Sequence, residues 1–370
     1  MKKFILFTLF LFSNSAFAQN FDIYVSDAGD FQNGPWQILK FDSSGQNHIV
    51  FINSNLNWPQ DILFLENANV VLISNFGTGR INRHDASSGA YLSVFAGSIN
   101  GPTRMKIGPD SLLYVLQWNG NGKVRRYQLN GTFVDEFTSV GVSQSIGIDW
   151  DSHGNLYVSS YSDDIVRKFS PSGADLGNFI STNLAGPTNI WFDINGDLLV
   201  SDYDGYSVKR FDSTGTYQGI FISGIGQSEG VAVYPNGNIL LGNGATSSVK
   251  LFDSNGNYIS DLIAPHAANM INPNAVVLRE HLISSINKTE DINPELVYPA
   301  IGRTFYLKNN LTRNIKSINV INAIGKLVYH SDNIKDQIWD SGNFPEGEYI
   351  ITLHFISGER SSQRVIVIHD

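Results

Sequence analysis

The 370-residue chain contains no cysteine, which excludes disulfides and thiolate chemistry and leaves stability to packing alone. It is also short of positive charge: 25 Lys and Arg stand against 34 Asp and Glu, a formal net charge of −9. That balance repels phosphate backbones and argues against nucleic-acid binding. Long apolar runs are missing too. Phe4 to Phe12 is too short to cross a bilayer, and nothing later approaches the roughly 20 apolar residues a membrane helix needs. No segment keeps a helical periodicity. Nor is there a phosphate loop or a His-Glu-x-x-His pair, and each of those absences removes a common catalytic device.

What is present begins with an export signal. Lys2 and Lys3 form a basic start, Phe4 to Phe12 an apolar run, and Ala16-Phe17-Ala18 a small-residue cleavage site. Residues 1–18 are therefore predicted to be a signal peptide. The mature chain would begin near Gln19, carry a charge of −11 (−9 less Lys2 and Lys3), and reach the cell surface or medium through the periplasm. Its remaining length and its 42% hydrophobic content suffice for two soluble, well-packed domains.

One phrase then recurs: an aliphatic strand, a polar loop, a second strand ending in an aromatic, and a turn with glycine. Leu156-Tyr157-Val158-Ser159 with Val166-Arg167-Lys168-Phe169 is one copy, and Leu198-Leu199-Val200-Ser201 with Val208-Lys209-Arg210-Phe211 is another. The turn glycines Gly45, Gly89, Gly131, Gly173, Gly215 and Gly256 are spaced by 44, 42, 42, 42 and 41 residues, the period of a four-stranded propeller blade. The first copy, from Phe21 to Ser26, has no inner strand before it, while Pro273 to Leu278 is an inner strand with no copy of its own. The last strand is thus expected to complete the first blade and close a ring of six.

These repeats resemble the NHL family and related six-bladed β-propellers, through Gly154-Asn155-Leu156-Tyr157-Val158-Ser159 and the turn Phe211-Asp212-Ser213-Thr214-Gly215. The resemblance covers about residues 21–280, within a propeller domain expected over residues 19–280. It implies architecture more than function, because this superfold hosts scaffolds, binding proteins, lactonases and lyases alike.

After Glu280 the period breaks, and residues 281–293 are polar and read as a linker. Residues 294–370 carry several short strands: Val297-Tyr298-Pro299, Ile318 to Tyr329 with Gly325-Lys326 inside it, Phe344-Pro345-Glu346-Gly347-Glu348-Tyr349, and Arg364 to Ile368. A small Ig-like β-sandwich is expected. The order of these pieces resembles the C-terminal sorting domain of the type IX secretion system of Bacteroidota, which implies the type IX machinery as a partner. Ala300-Ile301 and His369-Asp370 depart from that pattern. The plainer reading is an accessory Ig-like domain with a ligand of its own.

Aligned copies give columns. The residue following the second strand of each blade, Asp27, Asn75, Gln117, Ser160, Asp202 and Asn243, is expected at a wet mouth of the channel. One position later stand Ala28, Phe76, Trp118, Tyr161, Tyr203 and Gly244. Phe76, Trp118, Tyr161 and Tyr203 would form an aromatic crescent able to stack on a sugar or clasp a peptide, or else simply pack the loops. A third column opens the innermost strands: Gln60, Thr103, Ile146, Thr188, Glu229 and Asn274. Glu229 and Asn274 are similar to metal-ligand positions of gluconolactonase-type propellers. With Asp27 and Asp202 they would offer Ca²⁺ or Mg²⁺ an oxygen site able to polarise a lactone; on the plainer reading they bond backbone and channel water.

A basic column, Lys40, Arg83, Arg126, Lys168 and Arg210, is expected to pack its stems between blades and pair its heads with turn aspartates. The histidines occupy unrelated places in the repeat, which gives catalysis little support. The chain reads as a secreted or cell-surface binding propeller for an extracellular glycan, peptide or protein, needing no cofactor. The alternative is a divalent-metal-dependent hydrolase of gluconolactonase type.

Overall fold

The computed structural model describes residues 21–280, 296–307, 315–322, 326–333, 337–342, 344–356 and 360–369. The expected signal peptide and linker lie outside these residues, as do Gly325 of the Gly-Lys turn and Asp370. The chain separates into two compact units, Met1–Ile283 and Ser284–Asp370.

The first unit consists of six antiparallel four-stranded sheets. Their innermost strands, for blades 1 to 6 in turn, are Pro273–Glu280, Pro59–Leu65, Pro102–Ile107, Ser145–Trp150, Pro187–Phe192 and Ser228–Val233. Each touches the next around a ring, and Ser228–Val233 meets Pro273–Glu280 to complete it. Second strands such as Leu156–Ser160 and Ile239–Asn243 are buried along their whole length, because a neighbouring blade covers each face. That is why they read as continuous aliphatic runs. Outermost strands such as Tyr217–Ile222 alternate between partly buried and exposed residues, as expected of a sheet edge wetted on one side.

The apolar packing lies between blades. Tyr157 and Val166 of blade 4 pack with Leu198, Val200 and Phe211 of blade 5, while Ile23, Val25 and Leu39 of blade 1 pack with Leu240 and Val249 of blade 6. The ring is closed as expected: Pro273–Glu280 pairs with Phe21–Asp27, placing Val276 opposite Val25 and Leu278 opposite Ile23.

The turn glycines have a spatial cause. Each takes a positive φ and lies against the outermost strand of the preceding blade. A Cβ on Gly173, at φ 81°, would stand 2.0 Å from the Phe137 carbonyl oxygen. A Cβ on Gly45 would meet the Leu262 carbonyl of blade 6 at 2.1 Å, so the same contact recurs across the closure. Only glycine fits such a place.

The second unit is a small sandwich. One sheet contains Val297–Tyr298, Thr304–Leu307 and Gln337–Asp340; the other contains Ile301–Gly302, Arg360–Val367, Gly347–Phe355, Ile315–Asn322 and Leu327–Ser331. Phe305 and Trp339 stack at 5.4 Å, and with Val320, Ile351 and Val365 they form a core shared by both sheets. Alternation carries it: Tyr349, Ile351 and Leu353 point inward from one strand.

Candidate functional site

The column expected at a wet mouth is instead buried: Asp27, Asn75, Gln117, Ser160, Asp202 and Asn243 are all at most 1% exposed. All six side chains accept a hydrogen bond from a loop N–H. Asp27 receives those of Gly29, Ile271 and Asn272, Asn75 that of Asn57, Gln117 that of Asn100, Asp202 that of Ala185 and Asn243 that of Thr246. Ser160 receives that of Asp163 and also donates to the Ser143 carbonyl. In most blades the bond ties the loop that enters the innermost strand to the end of the second strand. Strand polarity here is spent on backbone, as buried polar groups generally require.

The next column faces outward into a cavity of about 480 Å³. Phe76, Trp118, Tyr161 and Tyr203 all line it, and Phe31 and Trp58 extend the series. The six rings run edge to edge: Phe31 to Trp58 at 5.3 Å, Trp58 to Phe76 at 4.4 Å, Phe76 to Trp118 at 6.3 Å, Trp118 to Tyr161 at 5.5 Å, and Tyr161 to Tyr203 at 6.2 Å. All are half-buried, so each is both packed and presented. Tyr161 Oη donates to Asp204 at 2.8 Å; burial, then this bond, pushes its phenol up to about 12. Asp30, Gln32 and Asn33 complete the rim, from the loop between the second and third strands of blade 1, Phe21–Asp27 and Gln37–Phe41.

Gln60, Ile146, Thr188 and Glu229 of the innermost strands also line the cavity, whereas Thr103 and Asn274 are fully buried behind them. Between Glu229 and Asn274 lies Arg104. Its guanidinium donates to Glu229 Oε1 at 2.8 Å, to the Asn274 carbonyl at 2.5 Å and to the Gln60 carbonyl. Arg104 and Asp61 line a second cavity, of about 340 Å³. Burial pushes the carboxyl groups of Glu229 and Asp61 up, against the pull of Arg104.

The four residues considered for a divalent ion are therefore not gathered into one site. Glu229 and Asn274 meet around Arg104. Asp27 serves loop N–H groups and Gln37, and Asp202 pairs with Lys209 at 2.5 Å. Asn274 Oδ1 is a buried acceptor without a donor, which would suit a cation, but the guanidinium beside it already supplies one. Among the described residues no group of three or more His, Asp or Glu could hold a metal.

The basic column behaves as expected at three of its five members, whereas Lys40 pairs with Asp22 within a strand and Arg83 donates to the Val94 and Asn130 carbonyls. Arg126 pairs with Asp110 and Asp135, Lys168 with Asp151, and Arg210 with Asp193 and Asp197. Arg83, Arg126, Lys168 and Arg210 lie over Phe95, Phe137, Phe179 and Phe221 respectively.

No family model and no curated protein matches the sequence. Among solved structures, one of a nidogen–laminin complex matches with a TM-score of 0.58 at 14% identity, covering 70% of this chain and 97% of that one. A protein of unknown function from Bacteroides caccae matches with a TM-score of 0.56 at 14% identity, over 70% and 98% of the two chains. The first unit is a six-bladed β-propeller. At such identity the likeness shows the propeller fold alone. A structure described as a gluconolactonase matches with a TM-score of 0.49 at 18% identity, over 57% of this chain and 79% of that one, too loosely to carry an argument about activity.

Sequence reasoning missed Phe31, Trp58 and Arg104. Trp58 precedes Pro59 where other blades of the propeller have Gly101, Gln144, Gly186, Gln227 or Asn272 before the innermost strand, so a column one place earlier would have found it. Arg104 belongs to the column Asp61, Arg104, Gly147, Asn189, Gly230, Ala275, in which two charges stand out among small residues. Phe31 belongs to a loop without counterpart in the repeat and left no signal.

Proposed function

We propose that the protein is a secreted or cell-surface binding module whose propeller meets an extracellular glycan, peptide or protein at the aromatic mouth. One observation carries this reading: six aromatic rings line a single cavity of about 480 Å³, a volume in the ordinary range for ligand sites. Aromatic side chains give large contact area at low entropic cost. The acid at the cavity floor, Glu229, is held by Arg104, which favours recognition over chemistry. A metal-dependent hydrolase would require Arg104 to move aside. One structural neighbour is part of a complex between two proteins, which accords with a binding role.

Export through the type IX system rests on the tail's resemblance and on the basic and apolar start of the chain. No helix among the described residues is long and apolar enough to cross a membrane. A reporter protein fused to residues 284–370, behind a signal peptide, should reach the medium of a Bacteroidota strain with type IX machinery and stay inside one lacking it. Equal retention in both strains would refute the sorting role.

Glycan and peptide arrays supply ligands for the binding test. Trp118→Ala should weaken any array ligand by about tenfold or more, as expected of a central aromatic anchor, and leave the melting temperature unchanged. An unaltered affinity would sink the aromatic-mouth reading.

A further inference from the structure

The charge at the aromatic mouth has one sign, and the inference drawn from it rests on the binding reading above. Asp30 and Glu229 line the cavity, and no Lys, Arg or His lines it. Further carboxylates face the same rim. Asp204 holds the Tyr161 hydroxyl at 2.8 Å, and Asp164 accepts the Gly186 N–H at 2.7 Å. Their field adds to that of Glu229 in holding the Tyr161 proton in place. The neighbouring cations are spent: Arg104 on Glu229 and two carbonyls, Lys209 on Asp202 and the Asn183 carbonyl. Glu229 uses Oε1 for Arg104, and Oε2 carries no protein hydrogen bond.

Aromatic faces are negative at their centres and attract ammonium groups within about 6 Å, more strongly when water is excluded. Phe31 and Trp58 also hold left-handed backbone, with φ of 69° and 50°, a conformation bulky residues rarely adopt. Such strain gathers at ligand clamps. Sulfated, phosphorylated or carboxylated ligands would meet only repulsion here.

We propose that the mouth receives the lysine side chain of an extracellular peptide, its alkyl stem along Trp118 and Tyr161 and its ammonium toward Glu229. The cavity, of about 480 Å³, exceeds what one ammonium group fills and leaves room for the residues that flank a lysine in a peptide.

Four probes test this on the purified full chain, by tryptophan fluorescence and calorimetry: a lysine-containing hexapeptide, the same peptide with its lysine acetylated, n-butylammonium, and a neutral glucose hexasaccharide. The lysine peptide should bind, and acetylation should weaken it about tenfold or more, since it removes one partner of a close charge pair. Glu229→Gln should match that loss. Because Glu229 also holds Arg104, the exposed Asp204→Asn provides a second variant, expected to weaken the peptide about threefold at low salt and not at high salt.

Equal affinity for the acetylated peptide, or no binding of the lysine peptide, overturns the inference. Binding of n-butylammonium as tightly as the peptide overturns the peptide as the source. Binding of the hexasaccharide alone, lost in Trp118→Ala, overturns the cation while preserving the binding function. Affinity of any probe that survives Trp118→Ala removes both.

Discussion

Arg104 is the residue on which the channel turns. It is 4% exposed, sits between two buried carboxyl groups, and holds its place by bonds to Glu229, Asn274 and Gln60. Both acids are pushed up by burial, and Arg104 opposes the shift. An acid raised in the folded state takes its proton before the unfolded chain does, so its stability contribution falls as pH rises from the unfolded value through the folded one. Arg104→Met keeps the stem but deletes the opposing charge. The variant should lose about 3–5 kcal/mol at neutral pH, the usual cost of orphaning a buried charge. It should then recover part of that loss as the medium is acidified from pH 7 toward pH 5. Urea midpoints at the two pH values decide this; a variant no better at pH 5 would show that the acids are already neutral or hydrated.

At the scale of the blade, what recurs is an arrangement of turns. The turn glycine of each blade lies on a carbonyl of the preceding one. Gly173→Ala therefore adds two faults, a positive φ and a Cβ 2.0 Å from the Phe137 oxygen, whereas Gly196→Ala adds only the first, since nothing lies within 4 Å of its Cβ. The strain alone should cost about 1–3 kcal/mol, and Gly173→Ala should exceed Gly196→Ala in a denaturant titration. Equal losses would mean that blades slide apart freely. The same contrast explains what the sequence could disclose. The six glycines, the buried second strands and the closing strand were legible because each is imposed six times or follows from counting. The aromatic crescent was legible as a column, though its neighbours Asp27 and Asn75 were misplaced at a wet mouth, because polarity alone does not separate a buried staple from an open site. Arg104, Phe31 and Trp58 break the repeat, and a reading built on repetition treats a single exception as noise.

The molecule as a whole combines a ring closed by its last propeller strand with a sandwich that has its own apolar core. The ring has one joint unlike the others, where the first and last strands of the propeller pair without a connecting loop. Asp27 fastens it, taking the N–H groups of Ile271 and Asn272 as the chain approaches Pro273. Asp27→Ala leaves those donors buried and unpaired and should cost on the order of 3 kcal/mol. Hydrogen exchange should rise first at Phe21–Asp27 and Pro273–Glu280; exchange raised evenly over all blades would show that the joint is not the weak point. Strand Phe21–Asp27 also precedes its partner by 252 residues (Pro273 less Phe21). At ribosomal speeds of about 5–20 residues per second, one edge of the first-made sheet waits roughly 12–50 s for its cover. During that interval it is open to strands from other nascent chains. The order of synthesis, more than the strength of the finished ring, then governs how many copies pair with themselves.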